Sequence, residues 1–321
     1  MQKGDKMIRD IIFLIIGFIL LIKGADLFVE GSSSVAKLLK VPTIIIGLTI
    51  VAMGTSAPEA AVSISAALKG QNAIAIANVV GSNIFNLLIV GGVCAVITPI
   101  IVKKSIIKRE YPFSIIISIL LLFFISDFIF GNNNITLGRL EGLILLVLFV
   151  LFIIYMVVSA IKNREELDED FIVLSPTKSI LYILLGLLGV IYGGDAVVDS
   201  ASSIASSLGL SANLIGLTII ALGTSLPELV TSIVAARKGD SDMALGNIIG
   251  SNIFNILLIL GMASFIHPIA VSMESVFDLI ILCIVSIITY FFCISKDKIS
   301  KKEGFVMILM YLIYMIYIIN R

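Results

Sequence analysis

The chain has 321 residues, of which 59% are hydrophobic and 14% are charged, and its mean hydropathy is +1.15. About a quarter of the residues in a soluble domain are charged, so this composition excludes a cytosolic enzyme and a disordered chain. The 22 basic residues balance the 22 acidic ones, which leaves no basic field that would bind nucleic acid. Apolar runs of about 20 residues recur along the chain and predict an integral membrane protein.

Ten segments are predicted to cross the membrane as helices, so the expected fold class is an all-α integral membrane protein. The first apolar run is followed by no convincing cleavage site, which favours a membrane span over a signal peptide. Gly, Pro and Glu stand at the centres of the second and seventh segments and predict that these two helices are broken. The ten segments are approximately 8–30, 42–69, 72–98, 111–130, 140–161, 179–199, 212–237, 243–266, 276–294 and 303–319.

The basic residues predict the orientation, because cytoplasmic connections carry an excess of Lys and Arg. Fifteen basic residues fall on one side of the predicted membrane, and these are Lys37, Lys40, Lys103, Lys104, Lys108, Arg109, Lys162, Arg164, Lys178, Arg237, Lys238, Lys296, Lys298, Lys301 and Lys302. The opposite side has six, namely Lys3, Lys6, Arg9, Lys69, Arg139 and Arg321. The first side is therefore expected to be cytoplasmic, with both termini extracellular and the protein in the plasma membrane.

The chain matches itself at a constant offset of 169 residues. Residues 46–59 and 215–228 are identical at eleven of fourteen positions, and residues 78–86 align with 247–255 at the same offset. Each half contains five predicted spans, and because five is odd the second half is expected to be inverted. The predicted organisation is a first five-helix repeat (1–161), an acidic cytoplasmic linker (162–178) and a second, inverted repeat (179–321). Inverted repeats with broken helices are typical of secondary transporters, which bind substrate near the midplane.

The linker Lys162–Lys178 contains several acidic residues and leaves two interpretations open. It is interpreted as a solvated connection, because it has no turn glycine and no spacing typical of a calcium-binding loop. The alternative is a regulatory cation site.

The three cysteines, Cys94, Cys283 and Cys293, lie in apolar surroundings without CxxC spacing. They are predicted to be buried small hydrophobic residues rather than members of a disulfide or a zinc site.

The repeated segment Gly54–Glu59 has the chemistry of a cation site. Pro58 has no N–H group to donate to the carbonyl of Gly54, so carbonyls at the break, those of Ala52, Met53 and Gly54, are expected to face inward as ligands. Thr55 and Glu59 share one helix face, as do Ser56 and Glu59. The second half repeats this set with Ala221, Gly223, Thr224, Ser225, Pro227 and Glu228.

The next repeated segment adds a hydroxyl and an amide four residues apart in each half. Ser82 with Asn86 and Ser251 with Asn255 are expected to complete a set of hard oxygen donors, which suits Ca²⁺ and Na⁺ and not soft metals. A carboxylate at the centre of the bilayer costs about 2.5–3.5 kcal/mol on insertion scales. No Lys or Arg lies near either glutamate in the sequence, so mobile cations are the expected counter-charge.

These two motifs, GTS-x-PE at 54–59 and 223–228 and GSNIFN at 81–86 and 250–255, resemble the alpha-repeats of sodium/calcium exchangers of the cation/calcium exchanger superfamily, particularly its archaeal and bacterial members. The resemblance implies one Ca²⁺ site and several Na⁺ sites at the midplane, with Glu59 and Glu228 bridging the ions. It also implies that spans 1 and 6 slide against the other helices. The implied further ligands are the carbonyls of Thr55 and Thr224 for Ca²⁺, and Ser56, Ser225, Ser82, Ser251 and the carbonyls of Ala52 and Ala221 for Na⁺.

Asn86 and Asn255 depart from some relatives, in which one of these positions is Asp. The resemblance associates Asp there with potassium-dependent or proton-sensitive forms, so no K⁺ requirement is expected. Protons are still expected to compete with the cations by neutralising either glutamate.

The leading hypothesis is a secondary antiporter that exchanges Na⁺ for Ca²⁺ across the plasma membrane by alternating access, with no enzymatic activity and no cofactor. Its expected partners are the two ions and the lipid bilayer, with no nucleic acid, and a transporter built from internal repeats can work as a monomer. Three alternatives stay open: an H⁺- or K⁺-coupled antiporter of the same fold, a cation channel, and an intramembrane hydrolase using Ser56 or Ser225. The hydrolase lacks a plausible His or Lys base in the core.

A charged cluster in span 1 has two interpretations, and a set of serines has one. Lys23, Asp26 and Glu30 could gate span 1, or Lys23 could extend to the cytoplasmic interface or pair locally. Serines at 32–34, 200, 202, 203, 206 and 207 are expected to line flexible joins between spans.

Overall fold

A computed structural model describes residues 2–70, 72–125, 135–162, 174–208, 221–295 and 297–320. Within these ranges seven helices are long and apolar enough to cross a membrane, and a pair of helices bent by 51° makes an eighth. The large hydrophobic side chains on the outside of α1 (Gln2–Leu39) and of the other long helices are exposed. The protein is therefore an all-α membrane protein whose outer surface is suited to lipid.

The first half begins with α1, which is followed by a broken helix made of several short pieces and then by further helices. Its remaining helices are α2 (Thr43–Ile46), α3 (Ala52–Thr55), α4 (Ala57–Leu68), α5 (Asn72–Phe85), α6 (Gly91–Ile97), α7 (Tyr111–Phe124) and α8 (Arg139–Lys162). Three π-helical segments join some of them, at Gly47–Val51, Asn86–Val90 and Ile106–Glu110.

The second half follows the same order. Its helices are α9 (Pro176–Ser207), α10 (Ala221–Gly223), α11 (Leu226–Arg237), α12 (Ser241–Phe254), α13 (Gly261–Ile266), α14 (Met273–Ser295) and α15 (Lys301–Asn320), with a π-helical segment at Asn255–Leu260. Four two-residue strands form two antiparallel pairs, β1 (Ile100–Ile101) with β4 (Lys298–Ile299) and β2 (Thr136–Leu137) with β3 (Ile269–Ala270). Each pair joins a strand of one half to a strand of the other.

Every predicted span contains a helix, but three predictions fall partly outside the described residues. These are the end of span 4 (126–130), the beginning of span 7 (212–220) and most of the linker (163–173). The count of ten membrane-spanning helices therefore stays a prediction.

The prediction that the serines line joins between helices is wrong. Ser32, Ser33 and Ser34 lie inside α1, and the serines from 200 to 207 lie inside α9. A serine hydroxyl can bond to the carbonyl four residues earlier without breaking a helix, and Ser207 Oγ does so with the carbonyl of Ser203 at 2.9 Å.

Helices α1 and α9 pack along each other through glycines, which lets their backbones come unusually close. A Cβ atom added at Gly186 would lie 2.4 Å from the backbone nitrogen of Phe28, and one at Gly193 would lie 2.5 Å from that of Leu21. One added at Gly24 would lie 2.6 Å from the nitrogen of Val190. Because no side chain separates them at these points, α1 and α9 form one closely packed pair.

Helix α12 lies at the centre of the protein, since every side chain from Met243 to Phe254 is buried. A helix that is buried all round needs close neighbours on every face. At Gly250 an added Cβ would lie 2.7 Å from Cα of Leu48 and 2.8 Å from Cβ of Ala52. This approach places the second half's GSNIFN segment directly against the broken helix of the first half.

The free cysteines Cys94, Cys283 and Cys293 are all buried, as the sequence predicts.

Candidate ion-binding site

Both GTS-x-PE segments form breaks between two helices. In the first half α3 ends at Thr55, Ser56 has φ −81° and ψ 9°, and α4 begins at Ala57 with Pro58 in its first turn. In the second half Ser225 has φ −91° and ψ 6°, and α11 begins at Leu226 with Pro227 in its first turn. The two breaks thus have the same local geometry, as the duplicated sequence predicts.

The first break frees fewer carbonyls than expected. The carbonyl of Ala52 accepts a hydrogen bond from the Ser56 N–H at 3.0 Å and lies 3.5 Å from Thr55 Oγ1. The absent N–H of Pro58 affects only the carbonyl four residues before it, that of Gly54. A cation at the Ala52 carbonyl would therefore share this oxygen with the helix.

The two glutamates are completely buried, and each is bonded to a serine of the opposite half. Ser225 Oγ donates to Glu59 Oε1 at 2.9 Å, and Ser56 Oγ donates to Glu228 Oε1 at 2.8 Å. Ser82 Oγ lies 3.3 Å from Glu59 Oε1, and Ser251 Oγ lies 3.4 Å from Glu228 Oε1. The two halves therefore meet at one polar centre, in which each carboxylate has a serine from both repeats.

Neither glutamate has a basic partner in the part of the chain that the structure describes. In the same ranges no group of three or more His, Cys, Asp or Glu side chains lies together. A cation at this centre would thus be neutralised by two carboxylates and coordinated further by uncharged oxygens, which is the ligand type that Ca²⁺ and Na⁺ accept.

Four buried side-chain oxygens at the centre have no hydrogen-bond partner among the described residues. They are Glu59 Oε2, Glu228 Oε2, Asn86 Oδ1 and Asn255 Oδ1, and they form two pairs related by the repeat offset. Buried polar atoms are nearly always bonded, so each exception requires an explanation. All four can act as acceptors, and bound cations are partners that would satisfy them.

Asn86 and Asn255 are held in place by two asparagines to which the sequence assigned no role, Asn83 and Asn252. Asn83 Nδ2 donates to the carbonyl of Asn252 at 3.2 Å, and Asn252 Nδ2 donates to the carbonyl of Asn83 at 3.3 Å. The amide of Asn86 donates to Asn252 Oδ1 and that of Asn255 to Asn83 Oδ1. This reciprocal set fixes α5 against α12. The sequence indicates these two residues only through the duplicated GSNIFN motif, which contains Asn83 in the first half and Asn252 in the second.

Asn78 and Asn247 form a second pair that the sequence repeats but does not explain. Asn78 Nδ2 lies 3.4 Å from the carbonyl of Glu59, and Asn247 Nδ2 lies 3.5 Å from that of Glu228. Each also donates to a buried serine at 2.9 Å, Ser63 or Ser232. These amides therefore orient the first turn of the helix that bears each glutamate.

The two threonines of the breaks differ in their contacts. Thr55 Oγ1 donates to Asn247 Oδ1 at 3.0 Å, whereas Thr224 Oγ1 is buried without a partner in the described ranges. Thr224 lines a cavity of about 540 Å³ with Pro58, Pro227, Asp195 and Asp199. The centre is thus closed beside Thr55 and adjoins a cavity beside Thr224.

The structure brings together most of the predicted site residues. The side chains of Ser56, Ser225, Ser82, Ser251 and the two glutamates are buried and joined by hydrogen bonds, and Asn86 and Asn255 are buried and bonded to Asn252 and Asn83. Thr55 and Thr224 flank it, and Ala52 lies at the first break. Ala221 is the first described residue of α10, and its side chain lies outside the described part.

We expect Ser56→Ala and Ser225→Ala to raise the Na⁺ concentration needed for half-maximal exchange by about 10- to 100-fold. Each serine hydroxyl donates to a buried carboxylate across the two halves, and a hydrogen bond to a charged group contributes about 1.5–3 kcal/mol. The measurement is ion flux into liposomes at graded Na⁺ concentrations.

The matched control is Ser118→Ala, because Ser118 is also buried but, among the described residues, bonds only to the carbonyl of Ser114 on its own helix. An unchanged Na⁺ dependence in both site variants would contradict the assigned role of the serines.

A buried, oxygen-lined centre between two related halves of an apolar helical protein is the arrangement of a secondary transporter. The family model described as sodium/calcium exchanger protein matches residues 10–158 and 178–320. The chain therefore belongs to the sodium/calcium exchanger family, which confirms the resemblance seen in the repeated motifs.

Individual relatives agree with this assignment. The chain is 31% identical to the sodium/calcium exchanger MaX1 of Methanosarcina acetivorans over 94% of this chain and 95% of that protein. It is 39% identical to the protein CaxA of Alkalimonas amylolytica over 80% of this chain and 81% of CaxA. The solved structure of the sodium-calcium exchanger NCX_Mj, soaked with zero Na⁺ and Ca²⁺, covers 97% of this chain and 99% of its own, with 32% identity and a TM-score of 0.83.

Proposed function

We propose that the chain is a secondary antiporter that exchanges Na⁺ for Ca²⁺ across the plasma membrane by alternating access at the centre formed by Glu59 and Glu228. The observation that carries this proposal is the set of four buried, unpartnered oxygens from two carboxylates and two amides. One Ca²⁺ or two Na⁺ would neutralise the two carboxylates equally well. The two kinds of ion would therefore compete for the same oxygens, and this competition is the basis of exchange.

The resemblance of the repeated motifs to the alpha-repeats supplies the detailed ligand assignment. Glu59 and Glu228 bridge the bound ions, and the carbonyls of Thr55 and Thr224 complete the Ca²⁺ site. The serines that contact the carboxylates serve Na⁺, together with the carbonyls of Ala52 and Ala221. The unpartnered amide oxygens of Asn86 and Asn255 are available to either ion, and no resident cofactor or enzymatic step is required.

The architecture that suits this function has ten membrane-spanning helices in two inverted five-helix repeats, 1–161 and 179–321, joined by the acidic linker 162–178. The charge bias supports a cytoplasmic linker and extracellular termini. Each half contributes a broken helix with a glutamate, so a single chain contains both parts of the site and can work as a monomer.

The decisive experiment measures ⁴⁵Ca²⁺ uptake by liposomes that contain the purified protein and an outward gradient of Na⁺, K⁺ or H⁺. We expect Ca²⁺ to accumulate above its equilibrium level with the Na⁺ gradient and not with the K⁺ gradient. Accumulation only with H⁺ or K⁺ would reassign the coupling ion, and equilibration of Ca²⁺ without any gradient would identify a channel. Liposomes without protein provide the background.

A further inference from the structure

The closely packed pair α1–α9 is tied to α11 and α12 at the side of the membrane that holds Lys238. Lys238 Nζ donates to the carbonyl of Asp26 on α1 at 3.0 Å and lies 3.6 Å from Asp26 Oδ1. Nearby, Ser33 Oγ of α1 donates to Asp240 Oδ2 at 3.2 Å. These contacts hold the end of α11 and the turn that follows it against α1, and the charge bias predicts that this side is cytoplasmic.

The repeat provides counterparts of Asp26, Lys238 and Ser33 at the opposite side, whereas the counterpart of Asp240 is Gln71, which lies outside the described residues. The offset of 169 relates Asp26 to Asp195 on α9 and Lys238 to Lys69 at the end of α4. Asp195 and Lys69 are both exposed, and neither forms an ion pair within the ranges described. Ser202, the counterpart of Ser33, has a buried hydroxyl with no described partner.

The two lysine turns have matching backbones, although Asp240 of the second turn corresponds to Gln71 in the first. Gly70 after Lys69 has φ 69°, and Gly239 after Lys238 has φ 80°. In both turns the glycine N–H donates at 3.1 Å to the carbonyl three residues earlier, that of Ala67 or Ala236.

The space between Asp195 and α4 is the cavity of about 540 Å³ beside Thr224. Ala57, Pro58, Ala61 and Val62 of α4 line one side of it, and Asp195 and Asp199 of α9 line the other. On the Lys238 side, the corresponding helices α1 and α11 are in direct contact. The structure is therefore closed at one end of the α1–α9 pair and open at the other.

We infer that Asp26–Lys238 and Asp195–Lys69 are two alternating ion pairs, each of which holds one side of the transporter closed. Because the glycine contacts make α1 and α9 one unit, a displacement that separates Asp26 from Lys238 brings Asp195 toward Lys69 across the cavity. The structure then represents the state with the first pair formed. These four residues are positioning residues for access to the site, and the inference rests on the proposed antiport.

Cysteine pairs test the alternation without measuring flux. In a background with Cys94, Cys283 and Cys293 replaced by Ala, we expect a short bis-maleimide to cross-link both Asp26→Cys with Lys238→Cys and Asp195→Cys with Lys69→Cys. In protein that carries Ala61→Cys on this background without the cross-linking pairs, and without cross-linker, the thiol in the cavity should react with an impermeant maleimide. Glu30→Cys with Lys69→Cys is the matched control, because Glu30 lies on α1 away from α4.

Removing one charge tests the same ion pairs in protein that is not cross-linked. Exposed ion pairs shift an equilibrium by about two- to fivefold. We expect Lys238→Met to lower the labelling rate of the Ala61→Cys thiol by about this factor. Lys23→Met, on α1 and without an ion pair among the described residues, should leave the rate unchanged.

Failure of the Asp195→Cys and Lys69→Cys pair to cross-link, in protein whose unsubstituted form drives Ca²⁺ uptake with Na⁺, would overturn this inference and leave the proposed function intact. Equal effects of Lys238→Met and Lys23→Met would also overturn it. Absence of Na⁺-driven uptake by the unsubstituted protein, with both cross-links formed, would instead contradict the proposed function and retain the alternation.

Discussion

Replacing either Glu59 or Glu228 with Gln is expected to abolish Na⁺-driven Ca²⁺ uptake while the protein still folds. Each carboxylate is fully buried and is bonded to serines rather than to a basic residue within the described ranges. Removing one partner of a buried charge pair costs about 3–5 kcal/mol, which corresponds to roughly 100- to 4,000-fold weaker Ca²⁺ binding. Uptake of ⁴⁵Ca²⁺ into liposomes, with Ca²⁺ binding measured separately, is the appropriate assay.

The matched control for these variants is Glu110→Gln. Glu110 is a buried glutamate outside both repeated motifs, so the change removes a comparable carboxylate without altering the candidate site. We expect uptake by this variant to stay within about twofold of the unsubstituted protein, as is usual for a change away from the functional groups. Normal Na⁺-driven uptake by Glu59→Gln or Glu228→Gln would refute the assigned site.

Gly193→Ala is expected to destabilise the protein and to impair transport, whereas the same change at the next residue, Gly194→Ala, is not. A Cβ at Gly193 would lie 2.5 Å from the backbone nitrogen of Leu21 and 2.9 Å from the carbonyl of Gly17. Backbone atoms cannot rotate away, so α1 and α9 must separate, and such overpacking costs about 1–3 kcal/mol. Thermal unfolding in detergent, followed by flux in liposomes, measures both effects.

Gly194→Ala provides an unusually close comparison because it lies on the same helix and adds the same methyl group. A Cβ there would lie 3.8 Å from Pro227, which is an ordinary contact. Alanine favours a helix over glycine by about 1 kcal/mol, so this variant should be as stable as the original or more stable. Equal melting temperatures for the two variants would show that α1 and α9 are not packed through their glycines.

Much of the candidate site could be predicted from the sequence because its chemistry repeats. The duplicated Pro58 and Pro227 predict two helix breaks, and the three- and four-residue spacings place hydroxyls beside each carboxylate. The first prediction agrees with the observed breaks. The hydroxyls that contact Glu59 and Glu228 come instead from Ser82 and Ser251 and from the serine of the opposite half. The family assignment made from these motifs is likewise confirmed by the match over both halves.

Contacts between the halves could not be predicted, because periodicity describes one helix at a time. The cross-half bonds from Ser56 and Ser225 depend on how α4 and α11 lie against each other. The exchange of amide bonds between Asn83 and Asn252 depends in the same way on the approach of α5 to α12. The π-helical segments beginning at Asn86 and Asn255 leave no pattern in composition, although such segments are frequent at functional sites.

The length of α1 and α9 could not be predicted from the local sequence either. Clusters of Ser are typical of turns, so the serines after residue 30 and after residue 199 suggested joins. In the structure both helices continue through them, because serine hydroxyls bond to nearby carbonyls and glycines bring the two helices together. Tertiary packing therefore overrides the local preference of these residues.

The exchange of serine bonds between the two glutamates has a consequence for how this chain can vary during evolution. Neither half supplies all the hydroxyls around its own carboxylate, since Ser225 contacts Glu59 and Ser56 contacts Glu228 across the halves. A substitution of Ser56 or Ser225 changes the surroundings of the glutamate in the other repeat, so the two repeats cannot vary independently. Any ancestral single-repeat protein with these residues would have needed a second copy to assemble the same hydrogen-bonded centre.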